Sequence, residues 1–149
     1  MYTRFKNFTV LILKIHRCIQ KIKIEEIAKY NLKSSHVSCL YYLYKENTLT
    51  ATELCDICLE DKSYISHSLK YLEANGYISC DSTVKKRYNA PLTLTETGKE
   101  LGALIAGKID SVFLPASEGL TDEERATLYR CLTQISDNLE KICKNYEKA

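Results

Sequence analysis

The sequence predicts a mainly α-helical chain with one small β-hairpin, and three features support that expectation. The first glycine is Gly76 and the first proline is Pro91, so neither helix-breaking residue interrupts the first half. Two short alternating runs, residues 77–80 and 92–95, are typical of paired strands. Apolar residues also repeat at heptad spacing near both ends, which indicates long helices that pack against other helices.

Each terminal helix carries an apolar seam at this spacing. The first seam comprises Phe5, Phe8, Ile12, Ile15, Ile19 and Ile22. The last helix starts after Thr121, and its seam comprises Leu128, Leu132, Ile135, Leu139, Ile142 and Tyr146. A chain of 149 residues has little middle section to cover both seams, so we expect the ends to pair in a homodimer. Packing of the seams within one chain is the alternative.

The next two helices are predicted from the residues that start them. Either Ser34 or Ser35 can cap a helix that leads to a short polar break. Thr50 and Glu53 then have the spacing of a capping box, which opens a short helix over residues 51–58.

A tight turn over residues 59–61 leads to a further helix over residues 62–74. Asn75 and Gly76 supply the signal that ends it. After the hairpin, Thr95 can cap the following helix.

This order of elements, two helices joined by a tight turn and then a hairpin with a basic tip, is that of a winged helix-turn-helix. In such proteins the second helix lies in the major groove of DNA, where hydroxyls and an imidazole can contact base edges. Cations at the hairpin tip suit phosphates and the narrow minor groove, and Arg87 is the candidate for insertion. The candidate DNA-binding residues are Thr50, Thr52, Ser63, Tyr64, Ser66, His67, Lys70, Lys85, Lys86 and Arg87. A solvated helix face beside an ordinary charged loop is the alternative interpretation.

Three segments also resemble a known family. Residues 49–54 (LTATEL), 72–78 (LEANGYI) and 92–98 (LTLTETG) resemble motifs of the MarR family of bacterial transcriptional regulators. The resemblance covers essentially the whole chain and implies a single domain, residues 1–149. Within it, residues 34–98 would form the winged helix-turn-helix region, and residues 1–33 and 99–149 the dimerisation helices.

The resemblance also implies a function. Such proteins usually repress transcription from a pseudo-palindromic operator, and many release it when a small anionic or phenolic ligand, an oxidant or a metal binds. Family wings commonly carry an aspartate two residues before the inserted arginine, whereas Lys85 stands there in this chain. Cys80 likewise replaces the arginine that often follows the Gly-x-Ile-x motif in the family. We therefore expect the wing to bind through net charge more than through one ordered fork, without an aspartate that orients Arg87.

The cysteines suggest alternative modes of regulation. Cys55 and Cys58 lie one helical turn apart beside the predicted recognition helix, which allows a redox switch. With His36 and Cys39 on the preceding helix they could also ligate a metal. Both pairs have the spacing of residues that face a core, so buried thiols are the simpler interpretation, and we predict no cofactor or metal.

Composition and charge bound the class of function. Seven cysteines, an odd number, without a secretory leader are typical of the reduced cytoplasm. No apolar run approaches the ~18 residues of a membrane span, and a net charge of +2 neither requires nor excludes nucleic acid. No catalytic motif is present, so we do not expect an enzyme. A helical adaptor that uses its seams to bind proteins is the alternative to a DNA-binding regulator.

Overall fold

A computed structural model describes residues 2–148, apart from the side chains of Tyr2 and Phe5. The helices in this range are α1 (Tyr2–Ile27), α2 (Ser34–Glu46), α3 (Ala51–Cys58), α4 (Lys62–Ala74), α5 (Glu96–Ala116) and α6 (Asp122–Glu147). Strands β1 (Ile78–Cys80) and β2 (Leu92–Leu94) form the sheet, and short 3₁₀ turns span Ala28–Tyr30 and Arg87–Asn89. The predicted fold class, helical with a small hairpin wing, is confirmed.

The described chain divides into two compact units after Asp110. The first unit contains the whole predicted DNA-binding region and one apolar core. Its fully buried side chains include Leu40, Leu43, Leu54, Ile65, Leu72 and Ile105. Residues from α2, α3 and α4 thus share one core, which fixes these three helices against each other.

The predicted capping box of α3 is confirmed, and α6 has a second one. At the start of α3, the Thr50 N–H donates to Glu53 Oε2 over 2.7 Å, and the Glu53 N–H donates to Thr50 Oγ1 over 3.2 Å. The same reciprocal pair, Thr121 and Glu124, opens α6. Each box satisfies two backbone donors that a helix start otherwise leaves without partners.

The predicted serine cap of α2 is wrong. The Lys33 N–H instead donates to His36 Nδ1 over 3.0 Å. Ser34 donates to Gln20 Oε1 over 2.6 Å, and Ser35 accepts a buried hydrogen bond of 2.7 Å from Ser68. The two hydroxyls therefore connect α2 to its neighbours, and the imidazole of His36 caps the start of α2 in their place.

The turn between α3 and α4 has the predicted position and a conformational cost. Leu59 adopts the left-handed conformation at φ 54°, and its side chain is 87% exposed. Asp61 Oδ1 then accepts from the Tyr64 N–H over 2.8 Å, which caps α4. At the other end of α4, Gly76 has φ 74°, as the predicted stop requires.

The sheet is a short antiparallel pair with one extra attachment. The register pairs Ile78 with Leu94 and Cys80 with Leu92. Leu49, just before α3, also exchanges two backbone hydrogen bonds with Leu92, over 2.8 and 3.3 Å. The base of the wing is therefore joined directly to the helix-turn-helix.

The seam residues of the terminal helices are largely exposed. On α1, Phe8, Ile12 and Ile15 are between 36% and 53% exposed, whereas the side chain of Phe5 lies outside the described part of the chain. In the second unit, the exposed apolar residues of α6 are Leu128, Tyr129, Ile135, Leu139, Ile142 and Tyr146. Within residues 2–148, no helix is both long and apolar enough to cross a bilayer.

Gly98 and Gly107, both in α5, should respond oppositely to alanine. A Cβ on Gly98 would lie 1.9 Å from the Tyr77 carbonyl oxygen, whereas a Cβ on Gly107 meets nothing within 4 Å. We expect Gly98→Ala to lower the free energy of unfolding by ~3 kcal/mol or more, and Gly107→Ala to raise it by about 0.5–1 kcal/mol. Urea denaturation of both variants is the measurement, and equal effects would contradict the close approach.

His36 should make stability depend on pH. Burial, and then the charge of Lys33, lower the pKa of His36, so the folded state favours the neutral ring that caps α2. The contribution of neutral His36 to the free energy of unfolding is fully present above the ordinary pKa of 6.5, and it is lost as the pH falls through the lowered pKa. We expect His36→Asn, whose amide oxygen can accept the same hydrogen bond, to flatten this loss in denaturation curves. The exposed His67→Asn is the control and should keep the wild-type profile.

Candidate nucleic-acid interface

One face of α4 is polar and exposed, as predicted. Ser63, Tyr64, His67 and Lys70 are exposed, and Ser66 is half-buried. The opposite face is buried in the core through Ile65, Ser68, Leu69 and Leu72. The helix therefore presents donors and acceptors along one side while its other side is fixed.

Two contacts set the rotation of α4 against α2. The Ser68 hydroxyl donates to Ser35 Oγ within the core, and the Tyr71 ring stacks on His36 with centroids 4.2 Å apart and planes 3° from parallel. The Tyr71 hydroxyl also donates to the Asn31 carbonyl over 2.9 Å. These polar contacts complement the apolar packing, because each has defined partners and directions.

The wing loop presents the basic residues at the edge of the same unit. Asp81 Oδ1 accepts hydrogen bonds from the Thr83 N–H and hydroxyl, over 2.9 and 2.6 Å, and these bonds lower the pKa of Asp81. Lys85 and Lys86 follow and are exposed. Arg87 begins the 3₁₀ turn that leads back to β2.

Arg87 has an acidic partner on α4, although the wing lacks the family's aspartate. Its terminal nitrogen forms a 2.5 Å ion pair with Glu73 Oε2 near the end of α4. The two partners are fourteen positions apart in the sequence, so the spacing within either element gave no signal of the contact. The ion pair connects the returning limb of the wing to the helix that carries the polar face.

The two candidate threonines also have structural partners. Thr50 belongs to the α3 capping box, and the Thr52 hydroxyl donates to the Tyr88 carbonyl over 3.3 Å. Lys62, which the sequence analysis did not single out, places its ammonium 5.5 Å from the centre of the Tyr88 ring. The wing is thus attached to the starts of α3 and α4 as well as to Glu73.

A cleft lies on each side of the exposed face of α4. The cleft on the wing side has a volume of about 300 Å³ and includes Ser66, Lys70, Glu73, Arg87 and Tyr88. The cleft on the other side has a volume of about 460 Å³. It is lined by Ala28, Asn31, Leu32, Lys33, Ser35, His36, Tyr64, His67, Ser68 and Tyr71.

The three cysteines of the redox and metal hypotheses share one environment. Cys39, on α2, is buried in the core, and Cys55 and Cys58, on α3, are partly buried and pack against it. His36, the fourth residue of the metal hypothesis, is occupied by the α2 cap and the Tyr71 stack. In the described chain, no group of three or more histidine, cysteine or acidic residues is placed to hold a metal ion.

Comparisons with known proteins agree with this geometry. Residues 36–103 match the family model described as a winged helix DNA-binding domain. Among solved structures, a MarR family regulator from Neisseria meningitidis has a TM-score of 0.84 at 21% identity, over 95% of this chain and 97% of that one. A putative MarR family transcriptional regulator from Listeria monocytogenes, complexed with 26mer DNA, has 0.80 at 25%, over 93% and 92%.

A third structure, Staphylococcus aureus MarR in complex with salicylate and kanamycin, has a TM-score of 0.77 at 20% identity, over 93% of this chain and 94% of that one. No curated protein matches the chain by sequence. The fold and the matched region define a winged helix protein. The chain has the MarR-family architecture over nearly its whole length, and the resemblance found in the sequence is confirmed.

Proposed function

We propose that this protein is a sequence-specific DNA-binding transcriptional regulator, and that it represses by occupying a pseudo-palindromic operator as a homodimer. The observation that carries the proposal is the polar face of α4 beside a basic wing, connected to it by the Glu73–Arg87 ion pair. A bound α4 needs a fixed rotation, and the Ser35–Ser68 hydrogen bond supplies it. The protein acts by binding, without catalysis, in the cytoplasm where its DNA lies.

The candidate residues divide by the part of DNA that they contact. Ser63, Tyr64, Ser66 and His67 lie in the first half of α4 and read base edges in the major groove. Lys70, Lys85 and Lys86 bind phosphates, and Arg87 enters the minor groove, exchanging its Glu73 partner for DNA. Thr50 and Thr52 lie at the start of α3, and their hydroxyls can donate to DNA phosphates by exchanging Glu53 and the Tyr88 carbonyl for them.

The terminal helices supply the dimer. Exposed apolar side chains on α1 and on α6, each considered within its own unit, are more than an isolated chain usually leaves in water. Pairing two copies covers such faces and gives the two-fold symmetry that an operator with two half-sites requires. The half-sites should lie about 34–36 Å apart, one helical turn of DNA.

A small ligand would release the DNA. The cleft of about 460 Å³ beside α4 includes His67, a candidate base-reading residue, so an occupant there competes with or displaces its contacts. The Staphylococcus aureus MarR structure contains salicylate and kanamycin. That finding supports a small-molecule effector for this chain as well, and release by titrated ligand in a DNA-binding assay tests it.

Binding to DNA from upstream of the protein's own gene, compared with scrambled DNA across a salt series, tests the function. Charge alone binds both fragments with a similar salt slope. We expect the native fragment to bind roughly 10³-fold more tightly at physiological salt. If neither fragment binds, in reduced or oxidised protein, the helical adaptor takes the place of the regulator.

Alanine substitutions should separate base readers from phosphate binders. Ser66→Ala and His67→Ala should each weaken operator binding by ~1–3 kcal/mol and relax specificity. Lys85→Ala should weaken native and scrambled DNA alike and reduce the salt slope by about 1. Lys99→Ala, an exposed lysine on α5, is the control. Equal losses from all four variants would contradict the assignment.

Neutralising Glu73 should strengthen DNA binding. Glu73→Gln removes a negative charge from the interface and frees Arg87, at the cost of an exposed ion pair worth ~0.2–1 kcal/mol. We expect operator affinity to rise by up to about fivefold per half-site, with little change in the free energy of unfolding.

Glu96→Gln, which removes the partner of Lys99 on α5, is the matched control for this variant and should leave affinity unchanged. A fall in the affinity of Glu73→Gln would contradict the exchange. It would show instead that Glu73 holds Arg87 in its DNA-binding position.

A further inference from the structure

One lysine beside the candidate interface is held in place without being neutralised. Lys62, the first residue of α4, is exposed, and its ammonium lies 5.5 Å from the centre of the Tyr88 ring. Among the described residues, no carboxylate lies within ion-pair distance of Lys62. The cation–π contact orients the ammonium, because the face of the ring is negative, and it leaves the positive charge available to an anion.

The preceding residue of the wing makes a contact of the opposite character. The charge of Arg87 is compensated by Glu73 in the free protein. Lys62 and Glu73 are eleven positions apart on α4, which corresponds to about 16 Å along the helix axis. The returning limb of the wing therefore contacts α4 near both of its ends, with a compensated cation at one end and an uncompensated cation at the other.

Tyr88 is itself positioned by a third element. The Thr52 hydroxyl on α3 donates to the Tyr88 carbonyl over 3.3 Å, which fixes the backbone of the wing at this residue in the free protein. Tyr88 is 46% exposed, and its phenol hydroxyl has no hydrogen-bond partner within residues 2–148. A phenol hydroxyl can donate as well as accept. An ammonium and a hydroxyl from two different elements are therefore available at one place on the surface.

The location of this pair determines which part of DNA it faces, and this step rests on the proposed function. With α4 in the major groove and the wing in the adjacent minor groove, one sugar–phosphate strand runs between the two elements. Lys62 and Tyr88 join the start of α4 to the returning limb of the wing, so they face that strand. Each of its phosphates is negatively charged and accepts hydrogen bonds.

We propose that Lys62 and Tyr88 together bind one phosphate of this strand, Lys62 through its charge and Tyr88 by donating its hydroxyl proton. The contact between the two side chains orders the ammonium before DNA arrives, which reduces the side-chain entropy lost on binding. The phosphate contact carries no sequence information. It fixes the spacing of α4 and the wing on the DNA, because each element supplies one donor to the same phosphate.

Substitution of Lys62 tests the charged half of the site in a salt series with native and scrambled DNA. Lys62→Met keeps the length of the side chain and removes its charge. We expect it to weaken binding to both fragments by about tenfold and to reduce the salt slope by about 1 for each bound subunit. Lys62→Arg keeps the charge and should keep the wild-type slope.

Lys45→Met is the matched control for the loss of one positive charge. Lys45, near the end of α2, also lies 5.5 Å from the centre of a tyrosine ring, that of Tyr41, but it is paired with Asp110 on α5. We expect this variant to keep the affinity and the salt slope of the wild type. Equal losses from Lys45→Met and Lys62→Met would overturn the proposal, because they would show an effect of net charge alone.

Two variants of Tyr88 leave the net charge unchanged and so separate a built site from diffuse electrostatic attraction. Tyr88→Phe keeps the ring and loses the hydroxyl, and it should weaken binding about fivefold with an unchanged salt slope. Tyr88→Leu also loses the ring and should weaken binding further. The effects of Lys62→Met and Tyr88→Leu should not add, because both act on one phosphate. Additive effects, or Tyr88 variants that bind like the wild type, would overturn the proposal.

Ethylation interference locates the phosphate on the native fragment. Ethylation neutralises a phosphate, so it blocks binding wherever the protein contacts that phosphate. We expect Lys62→Met to lose interference at one phosphate in each half-site, between the two occupied grooves, and to retain the others. An interference pattern identical to that of the wild type would overturn the phosphate site alone. Failure of the wild type to bind any DNA would overturn the proposed function together with the site.

Discussion

The buried hydrogen bond between Ser68 and Ser35 is the contact on which the candidate interface depends. Two hydroxyls in an apolar core must satisfy each other, so α4 has one favourable rotation against α2. That rotation puts Ile65 and Leu72 into the core and leaves His67 in solvent. A small rotation of α4 would break the hydrogen bond and displace both its buried face and its exposed polar face. The packing of α4 and the exposure of its polar residues therefore depend on the same contact.

The position of the wing depends on α4 and on the segment before α3. Its base is joined to the segment before α3 through Leu49 and Leu92, and its returning limb is joined to α4 through Arg87 and Glu73. The loop residues between them have few partners of comparable strength, and Lys85 projects into solvent. A wing that is anchored at the base and exposed at the tip can adapt to the width of a groove without losing its attachment.

Residue spacings within short segments predicted the local structure. They did not predict the contacts between residues that are distant in the sequence. The capping box at Thr50, the bounds of α3 and α4, and the hairpin all follow from spacings of a few residues. The Leu49 bridge and the Glu73–Arg87 pair join residues that meet only once the core has formed. The predicted serine cap was wrong for the same reason, because the Ser35 hydroxyl instead accepts a hydrogen bond from Ser68 on α4, which is distant in the sequence.

Leu59 is a position at which a substitution should stabilise the protein. Its side chain is mostly in water, so it contributes little packing, and its backbone has a left-handed conformation that a residue with a Cβ adopts at a cost. Asparagine and glycine tolerate that conformation more readily. Position 59 is therefore a natural site for engineering a more rigid helix-turn-helix, since replacement there sacrifices almost no buried surface.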